Sequence, residues 1–327
     1  MNASPKVTVI IPNWNTERWL TGCLDGLRAQ TYQDFKVLLV DGGSTDNSVA
    51  LVREHYPEVE LVTLSQNRGF APTVNAGLAR ADSDYVALLN VDTVPQPNWL
   101  TGLVDVMDQS PPEVGSLASK MLALTNPALI DDAGDTFSWY GSARKRGLGE
   151  PATNYDQVAD VLSACAGAAL YRQSFFEDVG LLDENFTSYL EDIDLGLRGR
   201  LRGYRCLYVP AAEVLHQGQG AGTARSRYVY LMTRNRLMVL LKNIPLELLL
   251  KHAWTLLFGQ FYFFLVYKRP FHSLAGVISL LLALPRIMRQ RQAIQQDKTI
   301  SNQALESMLT NELGELRLRD IIKSKLR

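Results

Sequence analysis

The sequence predicts an α/β fold: a mostly parallel central sheet flanked by helices, followed by a C-terminal helical, partly apolar extension. Three observations lead there. Over the first ~115 residues, apolar runs of strand length alternate with amphipathic segments of helical period, the pattern of repeated βα units with right-handed crossovers. Four of those strands end in polar residues, two of them rich in Asp and Asn. Beyond Ile244 the alternation stops, and apolar runs edged by Lys and Arg replace it.

Residues 7–11 (VTVII) read as a buried strand ended by Pro12. Residues 17–30 read as a helix, because Trp19, Leu20, Cys23, Leu24 and Leu27 recur at helical spacing. Strands follow at 36–40, 59–64 and 85–89, with helices at 48–55 and 71–81 between them. Residues 111–160 read as loop-rich. The small, apolar residues 163–171 read as a strand, and 187–202 as a carboxylate cluster leading into an Arg-rich helix stopped by Gly203. Residues 206–209 form a last short strand before Pro210 and His216. The apolar runs 246–250, 253–267 and 274–284 each fall short of the ~20 residues that span a bilayer. With Arg286, Arg289 and Arg291 close behind, they predict an in-plane or re-entrant membrane segment; a buried helical hairpin in a soluble homo-oligomer is the alternative. The last ~30 residues read as a polar amphipathic helix.

A formal net charge of −1 argues against a general nucleic-acid binder, although Lys and Arg cluster after Arg225. The three cysteines, Cys23, Cys165 and Cys206, have neither CxxC nor metal-ligand spacing, and their odd number fits a reducing compartment. The N-terminus has no long apolar run, so no signal peptide is expected.

Parallel α/β sheets bind ligands at the carboxyl ends of their strands. Here those ends are Pro12-Asn13-Trp14-Asn15, Asp41-Gly42-Gly43-Ser44-Thr45-Asp46, Asn67-Arg68-Gly69-Phe70 and Asn90-Val91-Asp92-Thr93. Any one alone is turn chemistry; four along one edge read as a site. Asp41 can accept hydrogen bonds from a base or ribose, though a plain turn with Asp46 capping the next helix accounts for that stretch equally well. Asp92 can hold a divalent cation that neutralises a diphosphate. Glu191, Asp192 and Asp194 fall within one turn, and their mutual repulsion should raise at least one pKa, as suits a base that deprotonates a hydroxyl. Helix-dipole stabilisation or pairing with Arg198 and Arg202 describes Asp194 or Glu191 in part. His216 alone is more often structural than a ligand.

Together VTVIIPNWN (7–15), VDGGSTDNS (40–48), NRGFAPTVNAGL (67–78), LLNVDT (88–93) and the long stretch GAALYRQSFFEDVGLLDENFTSYLEDIDLGLRGRLRGYRCLYVPAAEVLH (167–216) resemble, in order and spacing, the family 2 glycosyltransferases. This is the GT-A fold group that includes rhamnosyltransferase-like and polysaccharide-assembly enzymes, and the resemblance covers about residues 5 to 240. It implies a catalytic domain at 1–240 and a C-terminal, membrane-associated helical region at 241–327. Pro12, Asn13, Asn15, Asp41, Asn67, Arg68, Gly69, Asn75, Asn90 and Asp92 would line the nucleotide-sugar site. Asp92 and His216 would hold Mg²⁺ or Mn²⁺, and Asp192, in the Glu191-Asp192 pair, would be the general base. Residues 167–169 would border the acceptor. Arg234-Asn235 resembles a recurrent segment after the catalytic domain, without a role to assign.

The implied reaction is inverting transfer of a hexosyl or deoxyhexosyl group from a UDP- or dTDP-sugar, dTDP-rhamnose included, to a hydroxyl of a glycan or lipid-linked acceptor. The implied place is cytoplasmic, peripheral on the inner face of the cell membrane. Asn90 departs from the family's Asp-x-Asp pattern, and a neutral amide binds a hard cation more weakly than a carboxylate. A non-catalytic nucleotide-sugar-binding or membrane scaffold protein is the rival reading. A dehydrogenase would need GxGxxG where the chain has Pro12-Asn13-Trp14-Asn15-Thr16-Glu17.

Overall fold

The computed structural model describes residues 4–218 and 223–313. Its elements run β1 (Val7–Asn13), α1 (Glu17–Arg28), β2 (Phe35–Asp41), α2 (Ser48–His55), β3 (Glu60–Thr63), α3 (Phe70–Leu78), β4 (Tyr85–Leu89), β5 (Thr93–Pro95), α4 (Trp99–Gln109), β6 (Val114–Ala123), β7 (Asn126–Asp132), β8 (Asp135–Phe137), β9 (Ala143–Lys145), β10 (Ala159–Val161), β11 (Ala168–Arg172), α5 (Gln173–Val179), α6 (Glu191–Leu201), β12 (Arg205–His216), α7 (Arg225–Asn243), α8 (Leu246–Lys251), α9 (Ala253–Val266), α10 (Pro270–Gln296) and α11 (Asn302–Met308).

The main sheet is ordered β10-β12-β6-β11-β4-β1-β2-β3, with β5 on β12 and β7 on β6. Strands β1 to β4 are mutually parallel, as the βα pattern requires. Antiparallel β11 then joins β4 to β6. Side chains alternate along β1: Val7, Val9 and Ile11 join a core with α1, α2 and α4, while Ile10 joins the opposite core with α3 and α5. A third core lies between α6 and the C-terminal helices α7 to α11. The expected boundary at residue 240 therefore falls near the end of α7, a helix that packs on both α6 and α10.

Several expectations need correction. The region read as loop-rich holds β6, a ten-residue strand buried along nearly its whole length. Its apolar run is masked by polar residues with partners of their own: Ser119 Oγ accepts from Trp99 Nε1 at 2.8 Å, and Lys120 pairs with Asp156 and Glu213. The strand expected at 163–171 is confined to Ala168–Arg172. The strand expected to stop before Pro210 runs on to His216. It passes the proline through a register shift between Val209 and Glu213, so the missing N–H falls where no ladder bond is needed. The helix expected over the last ~30 residues amounts to α11 within the described part, and residues 314–327 lie outside it.

Candidate active site

Three of the four polar strand ends line one cavity of about 480 Å³ at the sheet edge, and the 41–46 end backs it through the Asp41–Asn13 hydrogen bond. Pro12, Asn13, Asn67, Gly69, Asn90 and Asp92 line it, as the sequence predicts. Asn15, Asp41, Arg68 and Asn75 do not; each brings polar groups to a neighbouring loop instead. The buried Asp41 carboxylate accepts from Asn13 Nδ2 (2.7 Å) and from the Gly43 and Ser44 amides (3.1 and 3.0 Å), so it orients Asn13 and shapes the turn. Asn15 Oδ1 accepts from the Thr45 amide at 2.7 Å. Asn75 exchanges hydrogen bonds with the Leu182 backbone (2.9 and 3.2 Å), and Arg68 pairs with Glu184 at 3.1 Å. Asp46 accepts from the Ser48 amide at 3.1 Å, but the cap position of α2 is Asn47, so Asp46 closes the turn before the helix rather than capping it as expected.

Nine further residues that the sequence reading gave no role line the cavity, among them an aromatic, a hydroxyl and a guanidinium group. Trp14 is an exposed aromatic inside a quoted stretch, Ser188 precedes the acidic pair, and Arg227 opens α7. The signal for Arg227 was the Arg225-Ser226-Arg227 run; that of Ser188 was only its position.

Asp92 and His216 are brought together by pairing that the sequence hid. Asp92 leads directly into β5, and β5 pairs antiparallel with the end of β12, setting His216 opposite Thr93. His216 Nε2 lies 3.5 Å from Asp92 Oδ2, and its Nδ1 lies 2.7 Å from Asp131 Oδ2. Lys145 Nζ meets the same Asp131 oxygen at 2.5 Å. Burial alone would lower the His216 pKa, but Asp131 and Asp92 outweigh it and raise it to about 9. Burial would raise Asp131, yet His216 and Lys145 hold it below the usual carboxylate range. A carboxylate beside an imidazole whose other nitrogen is held by a carboxylate is a donor pair that suits a divalent cation, whose binding would displace the proton that the imidazole carries in its absence. Among the described residues there is no group of three or more His, Cys, Asp or Glu arranged to hold a metal.

The acidic pair opens α6. Glu191 is buried, and Asp192 is half-buried with its Oδ1 accepting from the Ile193 amide at 2.8 Å. Burial raises both pKa values, and for Glu191 the neighbouring Asp192 charge adds to the rise. The Ala166 amide also faces the Asp192 carboxylate and offsets part of its rise. The following Gly167 carbonyl receives the Asn90 amide at 2.8 Å, so one short segment links the base candidate to the Asn90–Asp92 strand end. Asp194 is structural: it binds Arg198, Lys242 and Asn243, while Arg202 pairs with Asp178.

The "Glycosyl transferase family 2" model matches residues 8–180. Over 227 residues the chain is 29% identical to the O-antigen biosynthesis protein RfbC of Myxococcus xanthus, covering 66% of this chain but only 18% of that protein. It is 29% identical over 233 residues to the N-acetylglucosaminyl-diphospho-decaprenol L-rhamnosyltransferase of Mycobacterium tuberculosis, covering 63% of this chain and 72% of that one. Among solved structures, the mannosyltransferase PcManGT of Pyrobaculum calidifontis, in complex with GDP-Man and Mn²⁺, superposes with a TM-score of 0.53 at 18% identity, over 94% of this chain and 84% of that one. A match over more than half the chain, on a mostly parallel sheet of GT-A type, settles the family: the chain belongs to the family 2 glycosyltransferases.

Proposed function

We propose that this chain is an inverting glycosyltransferase that moves a hexosyl or deoxyhexosyl group from a UDP- or dTDP-sugar to a hydroxyl of a glycan or lipid-linked acceptor. The observation that carries the reading is the convergence at one sheet edge of Asp92, His216 and the cavity, with Asp192 facing the Ala166 amide and the next residue, Gly167, bonded to Asn90. The name of the mycobacterial relative, a rhamnosyltransferase, supports dTDP-rhamnose as the first donor to try.

Asn13, Asn67 and Asn90 offer amides to the nucleotide and sugar, and Trp14 offers a flat apolar face to the base. Asp192 takes the proton of the acceptor hydroxyl. That oxygen attacks the anomeric carbon from the face opposite the diphosphate. The new C–O bond forms as the old one breaks, the nucleoside diphosphate leaves with the electron pair, and the configuration inverts. Arg227 lines the cavity and supplies fixed positive charge for the diphosphate, which matters more because the neutral Asn90 amide binds a cation more weakly than a carboxylate would. Asp92 and His216 would hold Mg²⁺ or Mn²⁺, whose charge favours departure of the diphosphate. The manganese in the mannosyltransferase complex supports this reading.

We also assign residues 1–240 to catalysis and 241–327 to seating on the cytoplasmic face of a membrane. Trp254, Phe261, Phe271 and Leu282 are exposed on α9 and α10 with exposed Lys251, Lys268, Arg269 and Arg289 nearby, the composition of an interfacial surface. Helix α10 has the length and composition to cross a membrane, at 27 residues with a mean hydropathy of 1.6 in its most apolar window. It is also bonded to α7 along its length, through Ser279 to Tyr230, Arg291 to Leu241 and Gln295 to Asn243, which favours lying in the plane.

A donor panel tests the chemistry: each common nucleotide sugar with Mn²⁺, scored for released nucleoside diphosphate and product configuration, with EDTA and Asp192→Asn arms. Release from one donor, lost in the variant, with an inverted product is expected. Retained configuration would sink the single displacement, and near-normal turnover of Asp192→Asn would remove it as the base. Flotation with phosphatidylglycerol vesicles tests the seating. Trp254→Ser with Phe271→Ser should weaken binding, and a chain that never floats refutes it.

A further inference from the structure

Helix α7 carries Arg234-Asn235, the pair that sequence analysis singled out without a role. Asn235 is fully buried, and its Nδ2 donates to three backbone carbonyls: Phe186 (3.0 Å), Ser188 (2.9 Å) and Tyr189 (2.8 Å). Arg234 Nη2 donates to the carbonyls of Asn185 (2.7 Å) and Phe186 (3.0 Å). Its Nε donates to Asn235 Oδ1 at 2.9 Å, which turns the amide so that its N–H groups face the loop. Two adjacent side chains thus hold four carbonyls of one short segment.

That segment is strained. Thr187 has φ 67° and ψ −64°, and the Ser188 amide bonds back to the Phe186 carbonyl at 2.7 Å, the geometry of the rare, unfavourable form of the γ-turn. Tyr189 (φ 71°) and Leu190 (φ 69°) continue in the left-handed region, and none of the three is glycine. Such residues persist only where their surroundings over-determine them. The strain lies between the two halves of the site. On one side, the Thr187 carbonyl accepts from the Ala71 amide, Ser188 Oγ accepts from the Phe70 amide, and Ser188 lines the donor cavity. Gly69 presses so close that a Cβ there would come within 2.6 Å of the Thr187 carbonyl. On the other side, Leu190 is the residue from which α6 starts, with Glu191 and Asp192 next.

We infer that Arg234 and Asn235 are positioning residues for transfer: they hold the 185–190 turn in the strained form that sets Asp192 relative to the donor cavity. Neither lines the cavity. The inference rests on the reading of Asp192 as the base. A base displaced by about 1 Å can lose roughly a hundredfold in rate, so relaxation of this turn should appear in turnover first.

The test uses the full chain with Arg234→Ala, Arg234→Lys and Asn235→Ser. Thr233→Val is the control, since it removes a buried hydroxyl one residue away that has no hydrogen-bond partner. Hydrogen–deuterium exchange over residues 185–192 reports the clamp without turnover, and calorimetric binding of UDP and dTDP reports the donor site. The expected result is faster exchange in that segment alone. With it, kcat should fall roughly 10- to 100-fold while donor KM changes by less than about threefold. Arg234→Lys should recover part of the loss, and Thr233→Val should match the unaltered chain. Unchanged exchange, unchanged kcat despite faster exchange, or a loss that only follows the unfolded fraction each overturns the inference. No transfer by the unaltered chain with any donor and acceptor would remove the base assignment and the positioning role with it. Faster exchange would then show that the clamp itself is real and that the failure lies in the reading of function.

Discussion

Asp192 and Asp194 stand two residues apart on one helix, and their surroundings separate their roles. Asp194 is wholly buried with Arg198, Lys242 and Asn243 around it, so both its oxygens are committed to charged or amide donors. Asp192 is half-buried and meets only backbone amides, which leaves capacity to take a proton. A base must be ionised to act, and burial holds the Asp192 pKa above the usual carboxylate range. Activity should therefore decline on acidification through a pKa above about 4, and Asp192→Asn should abolish that limb along with most turnover, read as kcat/KM against pH. A limb unchanged in the variant would assign it to another group. From sequence, the two aspartates differed only in order; which of them was tied to α7 depended on a helix more than thirty residues further on.

Among the elements, the crossing of α7 and α10 decides how the C-terminal region attaches to the catalytic layers. Gly276 of α10 sits where a Cβ would come within 2.7 Å of the Tyr230 carbonyl, so the two backbones can approach only because it has no side chain. Gly276→Val should push the helices apart and cost about 1–3 kcal/mol, seen as a lower Tm. An unchanged Tm would mean that the crossing yields freely. The βα units at the N-terminus were legible because each buries one face and shows its own period. Strand β12 was not, because Pro210 is a stop signal for any local reading and only the register shift against β6 explains its passage. With β12 cut short, the route that carries His216 to Asp92 was invisible.

At the level of the whole molecule, one buried network ties the layers together. Lys242 of α7 meets Asp183 at 2.6 Å and Asp194 of α6 at 2.9 Å, and Gln290 of α10 donates to the same Asp183 oxygen at 3.0 Å. Burial would raise the Asp183 pKa, but the Lys242 charge and hydrogen bond outweigh it and hold it at about 2. A depressed carboxylate stabilises the folded state fully above its unfolded pKa near 4, and the contribution, roughly 2 kcal/mol, is lost as pH falls through about 2. Lys242→Met should leave two buried carboxylates without that partner and cost about 3–5 kcal/mol at neutral pH, measured by denaturant unfolding. The variant should also lose this part of the acid dependence. A variant as stable as the parent would show that the network carries no net stability.

The sequence by itself determined the α/β class, the four strand ends, the family and the identity of the acidic pair, because these depend on local period and on short stretches whose residues must lie together in the chain. Tertiary structure decided which of those residues face the cavity. Asp41 and Asn75 turned inward because a buried polar group must find a partner, and backbone amides or carbonyls from neighbouring segments met that need. It also decided that Arg227, within the expected catalytic span but given no role there, lines the cavity, and that Arg234 and Asn235 bond the 185–189 segment beside it. Their helix buries one side against α6, and no pattern within a single segment encodes the position of another.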